Sequence, residues 1–279
     1  MTEPQADWLV PDWHAPPGVH ALCTTRTGGV SLPPYDSLNL GDHVGDDGAA
    51  VQANRRTLQT ALQARTPAAR AVFLRQVHGV AVAHLDSHSP DGTAADACVS
   101  RTPGMVCTIL VADCLPVLLA HRSGAVVAAA HAGWRGLAGN GAQGVLESVF
   151  RHFCALVQAP HANPRQTPAA VAADTLAWLG PCIGARAFEV GAEVRSAFCT
   201  AHPAAQACFA AHRDAPGKYL CDLAGLARLR LHALGITALY GNDGTPPWCT
   251  VSHAARFFSH RRGGAEGGSG RLAACVWRG

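Results

Sequence analysis

The sequence predicts a single mixed α/β domain, α+β in character, with strands and helices interleaved but without a regular βαβ rhythm. Three observations carry that expectation. Of 279 residues, 48% are hydrophobic and 15% charged, which suits one large core and excludes wholesale disorder. Short continuous apolar runs, most clearly 105–112 and 115–120, have strand length and fit a sheet covered on both faces. Stretches of helical spacing separate such runs, and no fixed-period repeat or sustained heptad organises them.

The elements follow in order. Residues 21–40 begin strand-like, turn at Gly28-Gly29 and continue as a proline-containing loop. A helix is expected over 51–64, where Val51, Leu58, Ala61 and Leu62 share a face. Residues 71–76 are apolar and β-prone and stop at Val77-His78-Gly79, and 80–85 alternate as a second strand. The two long apolar runs flank Asp113-Cys114. Gly124 opens a strand over 125–130 that ends in His131-Ala132-Gly133-Trp134-Arg135-Gly136, and a helix follows over 143–157. The Pro- and Ala-rich segment 159–173 resembles a domain linker. Because 176–183 resumes strand character and ends in a Gly-Pro-Cys-Ile-Gly turn, it reads instead as a surface insertion in one domain spanning 1–279. Helices are expected at 191–198 and 222–234, the second closed by Gly235. Short strands at 236–240 and 257–259, a flexible glycine-rich loop (GGAEGGSG) and a last strand at 271–277 complete the chain.

A net charge of +3 leaves no electrostatic footprint for nucleic acid or a membrane surface. The longest nearly apolar stretch, 105–120, contains Asp113 and Pro116 and is too short to span a bilayer. The 11 cysteines are odd in number, scattered and without a C-x-x-C pair, and the N-terminus has no basic region leading into an apolar run. A reducing, cytoplasmic setting is expected.

Three possible ligands stand at strand ends beside turns: His78, Cys114 and His131. Two imidazoles and a thiolate form a good tridentate set for Zn²⁺ with a fourth position open. Their wide separation excludes a local zinc-finger loop, so the fold must bring them together. Spacing alone leaves the alternative open, since single histidines and cysteines are commonly packing or surface residues. His-x-His pairs, H-E-x-x-H, H-x-E…P-C-x-x-C, G-x-x-x-x-G-K-[ST], G-x-G-x-x-G and G-x-S-x-G are all absent.

CTTRTGGVSLPPYDSLNLGDHVGDD, RQVHG, ADCLPVL, AAHAGWRG, LGPCIG, FEVG and FFSHRR occur in this order over almost the whole chain. Together they resemble the YfiH family, also called the laccase-domain or polyphenol-oxidase-like family. The resemblance implies a layered αββα domain and a zinc held by the histidine of QVHG, the cysteine of ADC and the histidine of HAGWRG. Those positions are His78, Cys114 and His131. It also implies a purine nucleoside phosphorylase acting on adenosine, inosine or methylthioadenosine with phosphate, and adenosine deamination as a further activity. Two alternatives remain: a cysteine hydrolase or peptidoglycan-precursor editing enzyme using Cys114 and His131, and a copper-dependent, laccase-like phenol oxidase. The expected partners are nucleoside and phosphate, with no nucleic acid or membrane, in a monomer or homodimer.

Arginine's planar, always-charged fork suits phosphate, which makes Arg26, Arg135, Arg261 and Arg262 candidates, each of which reads equally as a solvated surface arginine. Asp113 suits an orienting role or a turn cap, and points away from Cys114 unless the strand bulges. Asn39 can hydrogen-bond a sugar or phosphate, or simply punctuate the chain. Gln76 shares a face with His78. Trp134 is expected to pack, and Cys182 stays outside the metal set. The chain departs from the family pattern at His260, where tyrosine is common, in the glycine-bearing stretch LAGNGAQG, and in the 159–173 insertion.

Overall fold

Helices cover the two outer faces of a pair of stacked sheets. The computed structural model describes residues 7–140, 143–158 and 166–279. In chain order come β1 (Val19–Cys23), α1 (Gly48–Arg65), β2 (Arg70–Phe73), β3 (Val82–Leu85), β4 (Ala97–Ser100), β5 (Met105–Val111) and β6 (Leu115–His121). Next are β7 (Val127–Ala132), α2 (Trp134–Ala138), α3 (Val145–Val157), α4 (Pro168–Ala173), β8 (Thr175–Leu179), β9 (Glu189–Gly191) and α5 (Ala192–Cys199). The chain closes with β10 (Phe209–Ala211), β11 (Lys218–Cys221), α6 (Leu223–Ala233), β12 (Ala238–Gly241), α7 (His260–Glu266) and β13 (Leu272–Arg278).

One sheet has the order β1-β13-β5-β2, a second β12-β8-β6-β7-β4-β3, and a small third β10-β11-β9. Both large sheets are mixed. In the first, β2 joins β5 in parallel while β13 pairs antiparallel with β5 and β1. In the second, β12–β8 and β3–β4 are parallel and the central pairings antiparallel.

Strand alternation sorts side chains into three cores. Val106 and Leu110 of β5 share a core with Leu58 and Leu62 of α1. Cys107, Ile109 and Val111 instead join Leu118, Ala120 and Trp178 of the second sheet. On that sheet's far face, Leu115, Val117 and Leu119 share a core with Val149 and Phe153 of α3 and Leu226 and Leu231 of α6. The layers therefore run αββα, as the family resemblance implied. Every residue of β5 and β6 is buried, which is why both read as unbroken apolar runs.

Three local expectations need correction. Residues 257–259 are not a strand: Phe257 and Phe258 are core residues, and the Ser259 side chain caps α7 by accepting from the Arg262 amide. Their aromatic, β-prone character serves packing, with no partner strand beside them. The glycine-rich stretch is not one loop, because its first four residues continue α7 up to Gly267, which closes the helix at φ 82°. Strand β4 and the small β9–β11 sheet had no signal strong enough to be read from so few residues. Within the insertion expected at 159–173, residues 159–165 lie outside the described residues. The remainder holds α4, whose Val171 and Ala172 are buried. Among the described residues no helix is long and apolar enough to cross a membrane.

Candidate metal centre

Strands β6 and β7 are antiparallel neighbours, with Leu115 opposite Ala132 and Pro116 opposite His131. Cys114, one residue before β6, therefore lies at the strand end beside Gly133. His78 arrives from the loop after β2 with φ 60°, a conformation uncommon outside glycine. The ligand atoms of His78, Cys114 and His131 all lie within 4.8 Å of one another, and no other group of three or more His, Cys, Asp or Glu is so placed among the described residues. Cys114 Sγ is 3.7 Å from His78 Nε2, and the two imidazole centroids are 4.8 Å apart.

One carboxylate holds both histidines. Asp96, fully buried just ahead of β4, accepts from the backbone amides of Val77 (3.1 Å), His78 (2.8 Å) and Gly79 (2.7 Å). Its Oδ1 also lies 2.9 Å from His131 Nδ1. Asp96 thus fixes the strained QVHG loop and commits the Nδ1 side of His131, leaving Nε2 as the free ring nitrogen. It was missed in the sequence. The available signal was a single acid entering an apolar stretch, AADACVS.

Glycine makes the approach possible. A Cβ on Gly133 would stand 2.9 Å from Cys114 Sγ and 2.9 Å from His78 Cδ2, and one on Gly136 would stand 2.8 Å from Gly79 O. The two glycines of HAGWRG let α2 close over the triplet.

The electrostatics favour a thiolate. Burial pushes the Cys114 thiol up, but the His131 and His78 imidazoles outweigh it and bring it down to about 6. Burial also opposes charge on His131, yet Cys114 and Asp96 lift it to about 9. In the metal-free chain, thiolate and imidazolium therefore coexist between those values. The pair is lost as pH falls through about 6, when Cys114 protonates, and as pH rises through about 9, when His131 loses its proton.

His78 and Cys114 of the triplet border a cavity of about 300 Å³ with apolar walls from Trp134, Ile183, Phe188 and Leu223, and with Asp113, Arg135, His260 and Arg261 as its polar lining, while His131 is buried and does not line it. Trp134 is partly buried against the core and also faces this cavity, with Arg135 lying 4.4 Å over its ring.

The other sequence candidates divide sharply. Arg26 does not border the cavity: its guanidinium binds the carbonyls of Asp36 and Ala254 and the Asp36 carboxylate. Arg262 donates from its two terminal nitrogens to the carbonyls of Thr250, Val251 and Phe257, and its Nε lies 3.3 Å from the Glu266 carboxylate. Asn39 is fully buried, bonding Gly41, Asp46 and the Arg271 amide. Gln76 pairs both ends of its amide with the Leu110 backbone. These four staple loops, their polar groups bonded mainly to other segments of the fold. Asp113, at φ 81°, faces the α7 start and not an imidazole. It accepts from Thr250 Oγ1 (2.6 Å), Ser259 Oγ (3.0 Å) and the Arg261 amide (2.6 Å). Arg261 reaches the cavity, but its guanidinium also donates to the carbonyls of Ala187 and Glu189. Arg135 is exposed, and its guanidinium makes no hydrogen bond or ion pair with a described residue. Cys182 is buried, with its thiol pushed well up by burial, and takes a hydrogen bond from Asn242.

Fold and site together define an αββα α/β protein with a candidate metal centre, a His–Cys–His cluster, under an apolar-walled cleft. A family model described as multi-copper polyphenol oxidoreductase laccase matches residues 20–279, and the chain belongs to that family. Its curated relatives carry a different label. A Pseudomonas aeruginosa protein named purine nucleoside phosphorylase is 47% identical over 97% of this chain and 98% of its own. Purine nucleoside phosphorylase YfiH of Escherichia coli is 45% identical over 96% and 98%. Among solved structures, a Neisseria meningitidis protein superposes with TM-score 0.81 at 41% identity, covering 98% of this chain and 99% of the other. YlmD from Geobacillus stearothermophilus gives 0.77 at 28%, covering 99% and 98%.

Proposed function

We propose that this protein is a zinc-dependent purine nucleoside phosphorylase, taking adenosine, inosine or methylthioadenosine with phosphate and deaminating adenosine as a side activity. The observation that carries the reading is the His78–Cys114–His131 cluster beneath an apolar-walled cavity, in a chain 45–47% identical to proteins named for this reaction.

Two imidazoles and one lowered-pKa thiol suit Zn²⁺, and Asp96 supplies the outer hydrogen bond that such a histidine ligand needs. When bound, zinc would supply a Lewis acid with one open position. The chain's own groups do the rest. Trp134, Ile183, Phe188 and Leu223 give a purine apolar faces and exclude water from the sugar. Arg135 offers uncommitted donors to an anionic oxygen. In phosphorolysis a phosphate oxygen bonds to C1′ as the C1′–N9 bond breaks; the electron pair leaves with the purine, which takes up a proton.

Incubation with adenosine or inosine and phosphate is expected to release free base and ribose 1-phosphate. His78→Ala is expected to lower kcat/KM by about 100-fold or more. No turnover by zinc-loaded protein, or full turnover by the variant, would sink the proposal. A copper-dependent oxidase is less well supported. The chain offers a single three-ligand cluster among the described residues, whereas four-electron oxygen reduction needs several coppers.

One observation favours a second reading, a cysteine hydrolase: Cys114 stands within 4.8 Å of His131, whose Nδ1 is held by the Asp96 carboxylate, a thiol–imidazole–carboxylate set. Alkylation mapped to the Cys114 peptide separates the two. In chelator-treated protein the rate should be half-maximal near pH 6 and fall below it. One equivalent of zinc should abolish it under the phosphorylase reading. Fast alkylation in protein as purified, without bound metal, would favour the hydrolase.

A further inference from the structure

His78 and Arg135 border two hollows. One is the apolar-walled cavity described above. The other, about 490 Å³, shares these two residues and is otherwise lined by Gly79, Val80, Gly139, Asn140, Gln143, Ser148 and Arg151. We propose that this second hollow is an anion subsite that takes a phosphate dianion between the guanidinium groups of Arg135 and Arg151.

The lining chemistry is one-sided. Two arginines and the polar residues Asn140, Gln143 and Ser148 line the hollow, and no acidic residue is among its described lining residues. The nearest acid in sequence, Glu147, is turned away: it accepts from the Gly144 amide and from Arg230. Two guanidinium groups sharing one hollow repel each other, and a dianion between them removes that cost while gaining bidentate, charge-assisted bonds.

Both arginines are available for this. Arg151 is exposed on α3 and reaches only Gln143 Oε1 at 3.4 Å and Ser148 Oγ at 3.5 Å, contacts at the limit of hydrogen bonding. Arg135 keeps its donors free and is stacked on Trp134, which holds the fork in place. Arg26 and Arg262, in contrast, each donate to backbone carbonyls and also pair with a carboxylate, Asp36 and Glu266 respectively. The stretch LAGNGAQG contributes Gly139, Asn140 and Gln143, so this departure from the family pattern borders the hollow rather than a distant surface.

The placement deepens the phosphorylase reading and rests on it for its chemical sense. A phosphate oxygen must approach C1′ from the face opposite the departing purine. With the purine in the apolar compartment and phosphate in the polar one, the sugar falls at His78 and Arg135, the two residues that both hollows share, between the two groups.

Free orthophosphate and the 5′-phosphate of a nucleotide share this chemistry, and the proposal commits to free orthophosphate. Steady-state kinetics of the zinc-loaded protein test it. Arg151→Gln is expected to raise KM for phosphate about tenfold, with KM for the nucleoside within about twofold, and Arg151→Lys to recover part of the loss. Arg56→Gln, an exposed charge removed from α1 in the opposite outer layer, is the control and should change neither. An unchanged phosphate KM in Arg151→Gln overturns the proposal, as does an unchanged phosphate KM accompanied by weaker inhibition by AMP, which would assign the hollow to a nucleotide. Should the wild type phosphorolyse nothing, the activity reading fails by itself. Calorimetry with inorganic phosphate then decides the subsite: binding that Arg151→Gln weakens supports it, and no binding by the wild type overturns it.

Discussion

Replacing Asp96 with asparagine is expected to lower Tm by about 5–10 °C and to weaken metal binding about 10–100-fold, although the side chain keeps its shape. Oδ1 serves the His78 amide and His131 Nδ1, while Oδ2 serves the amides of Val77 and Gly79. An amide NH2 at the Oδ2 position faces two N–H donors and leaves both unpaired, at about 1–3 kcal/mol each for buried groups. At the Oδ1 position it faces the His78 amide and donates toward His131 Nδ1. That moves the imidazole proton to Nε2, the nitrogen the cluster needs free. Either orientation is costly, and only the second acts through the tautomer. Chelator competition and a thermal melt on the same preparation check both parts. The thiolate-to-metal absorption of a cobalt-substituted sample adds a readout that a merely loosened loop would not shift. Wild-type metal affinity in Asp96→Asn would refute a positioning role for this carboxylate.

Gly133→Ala should damage the centre with little cost to the fold. The backbone is unremarkable there, at φ −68°, so alanine suits the conformation. The conflict lies wholly in the new Cβ, 2.9 Å from both Cys114 Sγ and His78 Cδ2. His78 is exposed on a loop and can swing outward, which opens the ligand set while the sheets stay packed. Metal affinity is expected to fall by about tenfold or more, with Tm of the metal-free protein within about 3 °C of wild type. Gly136→Ala makes the contrast, because its Cβ meets the Gly79 carbonyl, backbone that Asp96 holds in place. That variant should lose stability as well as metal. Equal behaviour of the two variants would show that crowding at the ligands is not what Gly133 relieves.

The laccase label of the family and the phosphorylase names of its members make different demands on the chain. An oxidase of that kind needs several coppers, and the described residues bring one His–Cys–His group together. A nucleoside site needs apolar walls for a base and cations for an anion, and the cleft has Phe188 and Trp134 beside Arg135. Metal content of protein as purified, read with turnover of adenosine, separates the two directly.

Much was legible in the sequence. Unbroken apolar runs marked β5 and β6 because both faces of those strands are buried, and helical spacing marked α1 because only one face packs. Strand-end glycines pointed to His78, Cys114 and His131, which the structure brings within 4.8 Å of one another. The arginines were harder. Arg26, Arg135, Arg261 and Arg262 look alike as letters, and what separates them is whether a carbonyl from a distant segment already fills the fork. Ala254 O does so for Arg26, across 228 residues of chain.

The sequence by itself determined the apolar pattern of the layers and the residue types able to ligate, because burial periodicity and donor chemistry are local properties. The tertiary structure alone decided which polar groups are satisfied and which remain available. Asp96 joins the QVHG loop to β7, Asp113 ties the Cys114 turn to α7, and Arg135 is left with its donors free. A buried polar group must find a partner, and where that partner lies is settled only when distant segments meet.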